Sequence, residues 1–316
     1  MKQHTFEQQH QALWDHIKHT IDKRGQQSSD FPAEYRQVCQ HLALARDRHY
    51  SPNLIARLNH LVLQGHQYFY RRRLDILPRF SRFIYQDFPQ SVRQEWRFVF
   101  FASLFFFLSF FVMALLIYTD NQLIYSIFQE RQLHNFREMY DPTAERWGMQ
   151  REAESNIMMF GHYIINNVSI DFKIFASGIF FGVGSVFFLV FNGIFLGAIS
   201  GYLIAIGYNV SFLSFVSGHS SFELLGMVIA GAAGLKLGTA LMAPQRYRRT
   251  HALRVAAKEA LPLIYGAFLM TVIAAFIEAF WSSDASIAAE IKYQVGAGLW
   301  GLLLLYFLGI GRTRAA

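Results

Sequence analysis

The stretch SGHSSFELLGMVIAGAAG, residues 217–234, places His219 and Glu223 four residues apart at the start of a long apolar run. On a helix that spacing puts both side chains on one face. A second apolar run, IAAFIEAFW, carries Glu278 near its end. An imidazole and two carboxylates in an apolar setting suit three kinds of chemistry. They can form a hydrogen-bonded structural network, share a divalent metal ion, or pass protons or ions through an embedded carboxylate. The metal reading names His219, Glu223 and Glu278 as ligands, although there is no HExxH pattern and no second histidine close by. Nucleophilic catalysis fits poorly. Ser220 and Ser221 flank His219, but immediate neighbours on a helix point apart, and no GxSxG occurs.

The runs that must hold these groups are membrane-like. Of 316 residues 53% are hydrophobic and 16% aromatic, which is too apolar for an ordinary soluble domain. The first 96 residues are polar and rich in His, Gln and Arg, whereas the remainder is mostly Phe, Leu, Ile, Gly and Ala. This predicts an all-α polytopic membrane protein with an N-terminal cytoplasmic helical head (1–96) and a transmembrane body (97–316). The N-terminus has no signal-peptide pattern, so the head is expected to stay in the cytoplasm. The single cysteine, Cys39, excludes an intrachain disulfide and a Cys-rich metal site.

In the head, residues 5–24 align Phe6, Leu13, Trp14, Ile17 and Ile21 on one helical face, residues 34–49 form a second candidate helix, and Ser51-Pro52 opens a third. Residues 71–98 interleave Arg with Phe, Ile, Tyr and Trp, as in an interfacial elbow lying against anionic headgroups. The formal charge of +7 thereby reads as membrane topology rather than nucleic-acid binding.

Six spans are expected, at about 98–118, 172–190, 193–208, 219–242, 261–280 and 294–310, each judged by apolar length. Asn192-Gly193 is read as a tight cytoplasmic turn between the second and third. Residues 120–170 make an outer loop, acidic over 120–155, whose last part, 156–170, is an interfacial helix. Arg246, Arg248, Arg249, Arg254 and Lys258 mark the connector after the fourth span as cytoplasmic, and Arg312 with Arg314 marks the C-terminus likewise. Both termini are then inside the bacterial inner membrane. His219, Glu223 and Glu278 fall at the outer level, together with Asn166, Asn167, Asp171 and Lys173. Lys236 is close enough to the inner end of its span to snorkel.

Small residues recur at helical spacing: Gly178 and Gly182; Gly193, Gly197 and Gly201; and Gly226, Gly234 and Gly238. In lipid, helices associate by close backbone approach at such residues. Tight packing is the expected use of these stripes, and a homodimer through small-residue faces is expected as well.

Three passages, IINNVSIDFKIFASGIFFGVGSVFFLVFNGIFLGAISGYL, GHSSFELLGMVIAGAAGLKLG and IAAFIEAFW, together resemble the stage II sporulation protein M family of bacterial integral membrane proteins. The resemblance covers most of residues 156–310, and LNHLVLQGHQYFYR is similar to the N-terminal region of the longer members. It marks Asn166, Asn167, Gly178, Gly182, Gly184, Asn192, Gly193, Gly197, His219, Glu223, Gly231, Gly234, Gly238 and Glu278. Ser220 departs from it, since the family usually has Gly after the His. The resemblance implies a non-enzymatic scaffold that anchors partner proteins, among them cell-envelope or peptidoglycan-remodelling factors, with AAA-type ATPases as neighbours. The expected partners are therefore membrane lipids, a second copy, cytoplasmic proteins at the head and periplasmic factors at the outer cluster. No nucleic acid and no cofactor are expected beyond a divalent metal at His219, Glu223 and Glu278. A transporter or channel with its pathway at those three residues is the alternative, and an intramembrane metal-dependent hydrolase the second.

Overall fold

The computed structural model describes residues 2–22, 30–69, 76–142, 153–284 and 286–311, and among these all regular structure is helical. Residues 71–75 of the basic elbow, residues 143–152 of the expected outer loop, and Arg312 and Arg314 lie outside the described residues. The chain divides into two compact units, Met1–Leu77 and Pro78–Ala316.

The first unit is a three-helix bundle of α1 (Gln3–Asp22), α2 (Phe31–Asp47) and α3 (Pro52–Phe69). Phe6, Trp14 and Ile17 of the expected stripe are buried against Phe31, Val38, Leu42, Leu54 and Leu58, with Leu13 and Ile21 at the margin. The α3 helix begins at Pro52, where the fixed proline φ and missing N–H cost a helix nothing.

In the second unit, two short helices, α4 (Ile76–Arg82) and α5 (Phe88–Gln94), flank a π-helical turn and lead into α6 (Trp96–Thr119). The elbow expected to lie against headgroups is also packed on the body. Phe80, Tyr85 and Trp96 are exposed, but Phe88 and Val92 are core residues. Arg93 Nη1 donates to Phe307 O at 2.7 Å and Tyr306 Oη to Ile84 O at 2.6 Å, which fastens the elbow to the last helix.

After α7 (Glu130–Tyr140) come α8 (Ala153–Ala176), α9 (Val183–Ala205), the short α10 (Asn209–Ser217), α11 (Ser220–Met242), α12 (Arg249–Ile277) and α13 (Ala289–Gly309). Among the described residues five helices, namely α6, α9, α11, α13 and α12 with its π-helical end, are long and apolar enough to cross a membrane. The expected second and third spans are therefore corrected. Asn192-Gly193 is no turn but lies inside α9, because the Asn192 amide donates to Phe188 O one turn back at 2.7 Å and so satisfies itself within the helix. The chain reverses earlier, at residues 177–182, where Gly182 adopts φ 81°, open to glycine without strain.

The helix expected over 156–170 is present and runs on beyond it. Residues 156–170 belong to the unbroken 24-residue α8, about 36 Å long at 1.5 Å per residue. Its first half meets the end of α12, with Phe160 packed on Phe276 and Phe280. Farther along, Asp171 accepts a hydrogen bond from Thr271, and at the far end Gly178 lies against the main chain of Gly234. Thus α8 runs beside the C-terminal part of α12 and beside α11.

Candidate functional site

The three residues singled out by spacing do converge. His219 precedes the first turn of α11, where its carbonyl accepts from the amides of Phe222 and Glu223, both at 3.1 Å. Glu223 follows one turn on, so its carboxylate lies beside the ring, with Nε2 and Oε2 3.7 Å apart. Glu278 arrives from α12, at the point where the helix widens into a π-helical turn, Glu278–Ser282. Such one-turn widenings re-aim side chains and recur at functional sites. One ligand atom from each of His219, Glu223 and Glu278 lies within 4.8 Å of the other two.

The same π turn supplies a residue that sequence reasoning missed. Ser282 Oγ lies 3.0 Å from His219 Nδ1. That approach needs Gly218, because a Cβ there would collide with the Trp281 ring. Ser282 also presents its carbonyl to Lys292 Nζ at 2.8 Å, which links α13 to the cluster. His219, Ser282 and Lys292 are all buried. The imidazole thus has Ser282 as its hydrogen-bond partner at Nδ1, while Nε2 is turned toward Glu223. Glu278 Oε2 is buried without a hydrogen-bond partner. Among the described residues no Lys or Arg pairs with Glu223 or Glu278. Tyr140, buried at the end of α7, is near enough for the Glu278 and Glu223 charges to add to the effect of burial, and its phenol is raised well above the ordinary tyrosine value.

The asparagines do not join this cluster. Asn166 is exposed on α8 and donates to Asn167 Oδ1 at 3.1 Å, while Asn167 is buried. With α8 unbroken there, they repair no gap in the backbone. Asp171 pairs instead with Thr271, and Lys173 is exposed. Lys236 does not snorkel freely. It pairs with Glu95 at the start of α6 and with Glu259 Oε2 of α12 at 2.7 Å. One carboxylate from the elbow and one from α12 would have had to be placed beside α11 to see this.

The glycine stripes are all consumed by packing inside the chain. A Cβ on Gly193, Gly197 or Gly201 would run into the main chain of α6 at Phe106, Phe110 and Ala114. Gly226 faces Thr271 and Ala267 of α12, Gly234 faces Ser185 and the carbonyls of Ile174 and Phe175, and Gly238 meets Gly182. Gly178 meets Gly234, Gly184 meets Ser177, and Gly231 holds Leu189.

Fold and site together define a polytopic helical membrane protein in which two apolar helices close a His–Glu–Glu cluster at one end. The model for stage II sporulation protein M matches residues 102–283, more than half of the chain, and takes in every residue of that cluster. The chain belongs to the stage II sporulation protein M family. Residues 4–71 match a domain of unknown function (DUF8413). No curated protein and no solved structure matches.

Proposed function

We propose that this protein is a non-enzymatic scaffold of the bacterial inner membrane. It crosses six times, keeps both termini in the cytoplasm, and docks partner proteins on its helical head. The observation that carries this reading is the main-chain contact along both glycine seams, α6 on α9 and α11 on the residue 177–182 turn. Helices in backbone contact have no side-chain layer to slide on, which suits a rigid anchor better than a carrier that must rock one bundle against another. The sixth crossing is α8, whose apolar residues Ile157, Met158, Ile165 and Phe172 are exposed as lipid-facing residues would be. Partners are cytoplasmic proteins at the head and envelope factors at the opposite end, with AAA-type ATPases as neighbours by family resemblance. A homodimer would use a face other than the glycine stripes, since these are filled within the chain.

A photo-crosslinker placed at exposed Leu44 of the head in living cells should capture a defined partner, and Glu223→Gln should leave the yield unchanged. Purified protein in liposomes should conduct neither protons nor small solutes. A flux that disappears in Glu223→Gln while capture persists would replace the scaffold by the pathway reading.

A further inference from the structure

We infer that His219, Glu223 and Glu278 form a binding site for a divalent transition-metal ion of the zinc type, which staples the start of α11 to the end of α12. This goes beyond the scaffold reading and does not depend on it.

Three observations carry the inference. First, the geometry is nearly that of a site. Ligand atoms about 2.1 Å from a tetrahedral ion are about 3.4 Å apart. His219 Nε2 and Glu223 Oε2 are already at 3.7 Å, and Glu278 completes a set within 4.8 Å, so small rotamer adjustments close it. Second, the charges are uncompensated. Two carboxylates face each other, Glu278 Oε2 is buried without a partner, and among the described residues no Lys or Arg pairs with either. The nearby Lys292 ammonium is directed to the Ser282 carbonyl. Two partly buried carboxylates this close are unfavourable unless a cation or a proton lies between them. Third, the histidine is held as a ligand is held. Ser282 Oγ lies 3.0 Å from Nδ1 and fixes the ring so that Nε2 is turned toward Glu223 Oε2 at 3.7 Å, the second-sphere contact by which a metal-binding imidazole is oriented.

One imidazole nitrogen and two carboxylate oxygens make a mixed donor set suited to zinc, manganese or iron. Calcium and magnesium prefer oxygen alone. Three protein ligands also leave a coordination position for water. The ion would reinforce a junction already made at this end by the His219–Ser282 bond and the Trp281 ring on Gly218.

The test uses the full-length chain, purified in nanodiscs, stripped with chelator and titrated with Co2+ as a spectroscopic probe. One equivalent should bind with visible bands of low-symmetry coordination, and Zn2+ should displace it. Glu278→Gln and His219→Asn should each weaken Co2+ binding at least tenfold, and Ser282→Ala should weaken it about tenfold through loss of the ring's orienting partner. Zn2+ should raise the melting temperature of the parent protein and not that of Glu278→Gln. If His219→Asn fails to fold, the near-isosteric Glu278→Gln decides. The inference is overturned if no stoichiometric ion binds, or if binding is undiminished in Glu278→Gln, which would place the ion on other groups such as the head histidines. A scaffold that assembles normally without metal would leave the proposed function standing.

Discussion

Lys236 and His41 show how far single side chains depend on burial. The Lys236 ammonium joins Glu95 and Glu259, and its partner Glu95 has only 19% of its side chain exposed. Removing one member of a buried pair strands the other, at a cost of roughly 3 kcal/mol, whereas an exposed partner such as Glu259 contributes little. Lys236→Met should therefore lower the melting temperature markedly, and adding Glu95→Gln should recover part of the loss; a thermal-shift double-mutant cycle measures the coupling. In the head, Trp14 Nε1–H donates to His41 Nδ1 at 3.1 Å, so the imidazole must be neutral there. Burial, assisted by neighbouring His10, lowers the His41 pKa to about 4. The unfolded chain keeps a pKa of about 6.5 and so binds more protons between these values, which makes head stability rise with pH through that window. Urea unfolding of the head at pH 7 and pH 4.5 should differ by on the order of 2 kcal/mol. His41→Gln, which retains an acceptor for Trp14 but gains no proton, should flatten that dependence.

At the scale of helices, the account rests on main chain meeting main chain. Gly197→Ala would drive a methyl group into Phe110 O of α6. Separating two packed helices to admit it costs about 1–3 kcal/mol. Gly298→Ala and Gly301→Ala on α13 have open space within 4 Å and should be neutral or stabilising, since alanine favours helix by up to about 1 kcal/mol. Heating the three variants in detergent and following the folded fraction tests the contrast. These seams were legible in sequence because a four-residue repeat of small side chains has few uses in an apolar helix. The pairing of His219 with Glu223 was legible for a similar reason, being fixed by one helical turn. What could not be read was which helix α8 is. Asn166, Asn167, Asp171 and Lys173 lower its hydropathy, and its compensations, Thr271 for Asp171 and Asn166 for Asn167, come partly from another helix. Asn192-Gly193 misled for the opposite reason: a pair that favours turns in water is absorbed into α9 by one back-bond and one seam contact.

For the molecule as a whole, the arrangement of α6, α8, α11 and α12 fixes which ends share a side. Glu95, Lys236 and Glu259 meet at one end, while His219, Glu223, Glu278 and Ser282 meet at the other. The arginine-rich connector between α11 and α12 lies at the first end, and the topology proposed above takes that end as the cytoplasmic one because of its excess of positive charge. The proposed topology has α8 crossing the full depth, which sets this polarity. With α8 crossing, three helices separate residue 122 from residue 247, and they lie on opposite sides; without it, two helices separate them and both lie on one side. Both Gln122 and Tyr247 are exposed. In a Cys39→Ser background, Gln122→Cys should react with a membrane-impermeant maleimide applied to spheroplasts, and Tyr247→Cys should react only after lysis. Labelling of both from the same side would contradict the account.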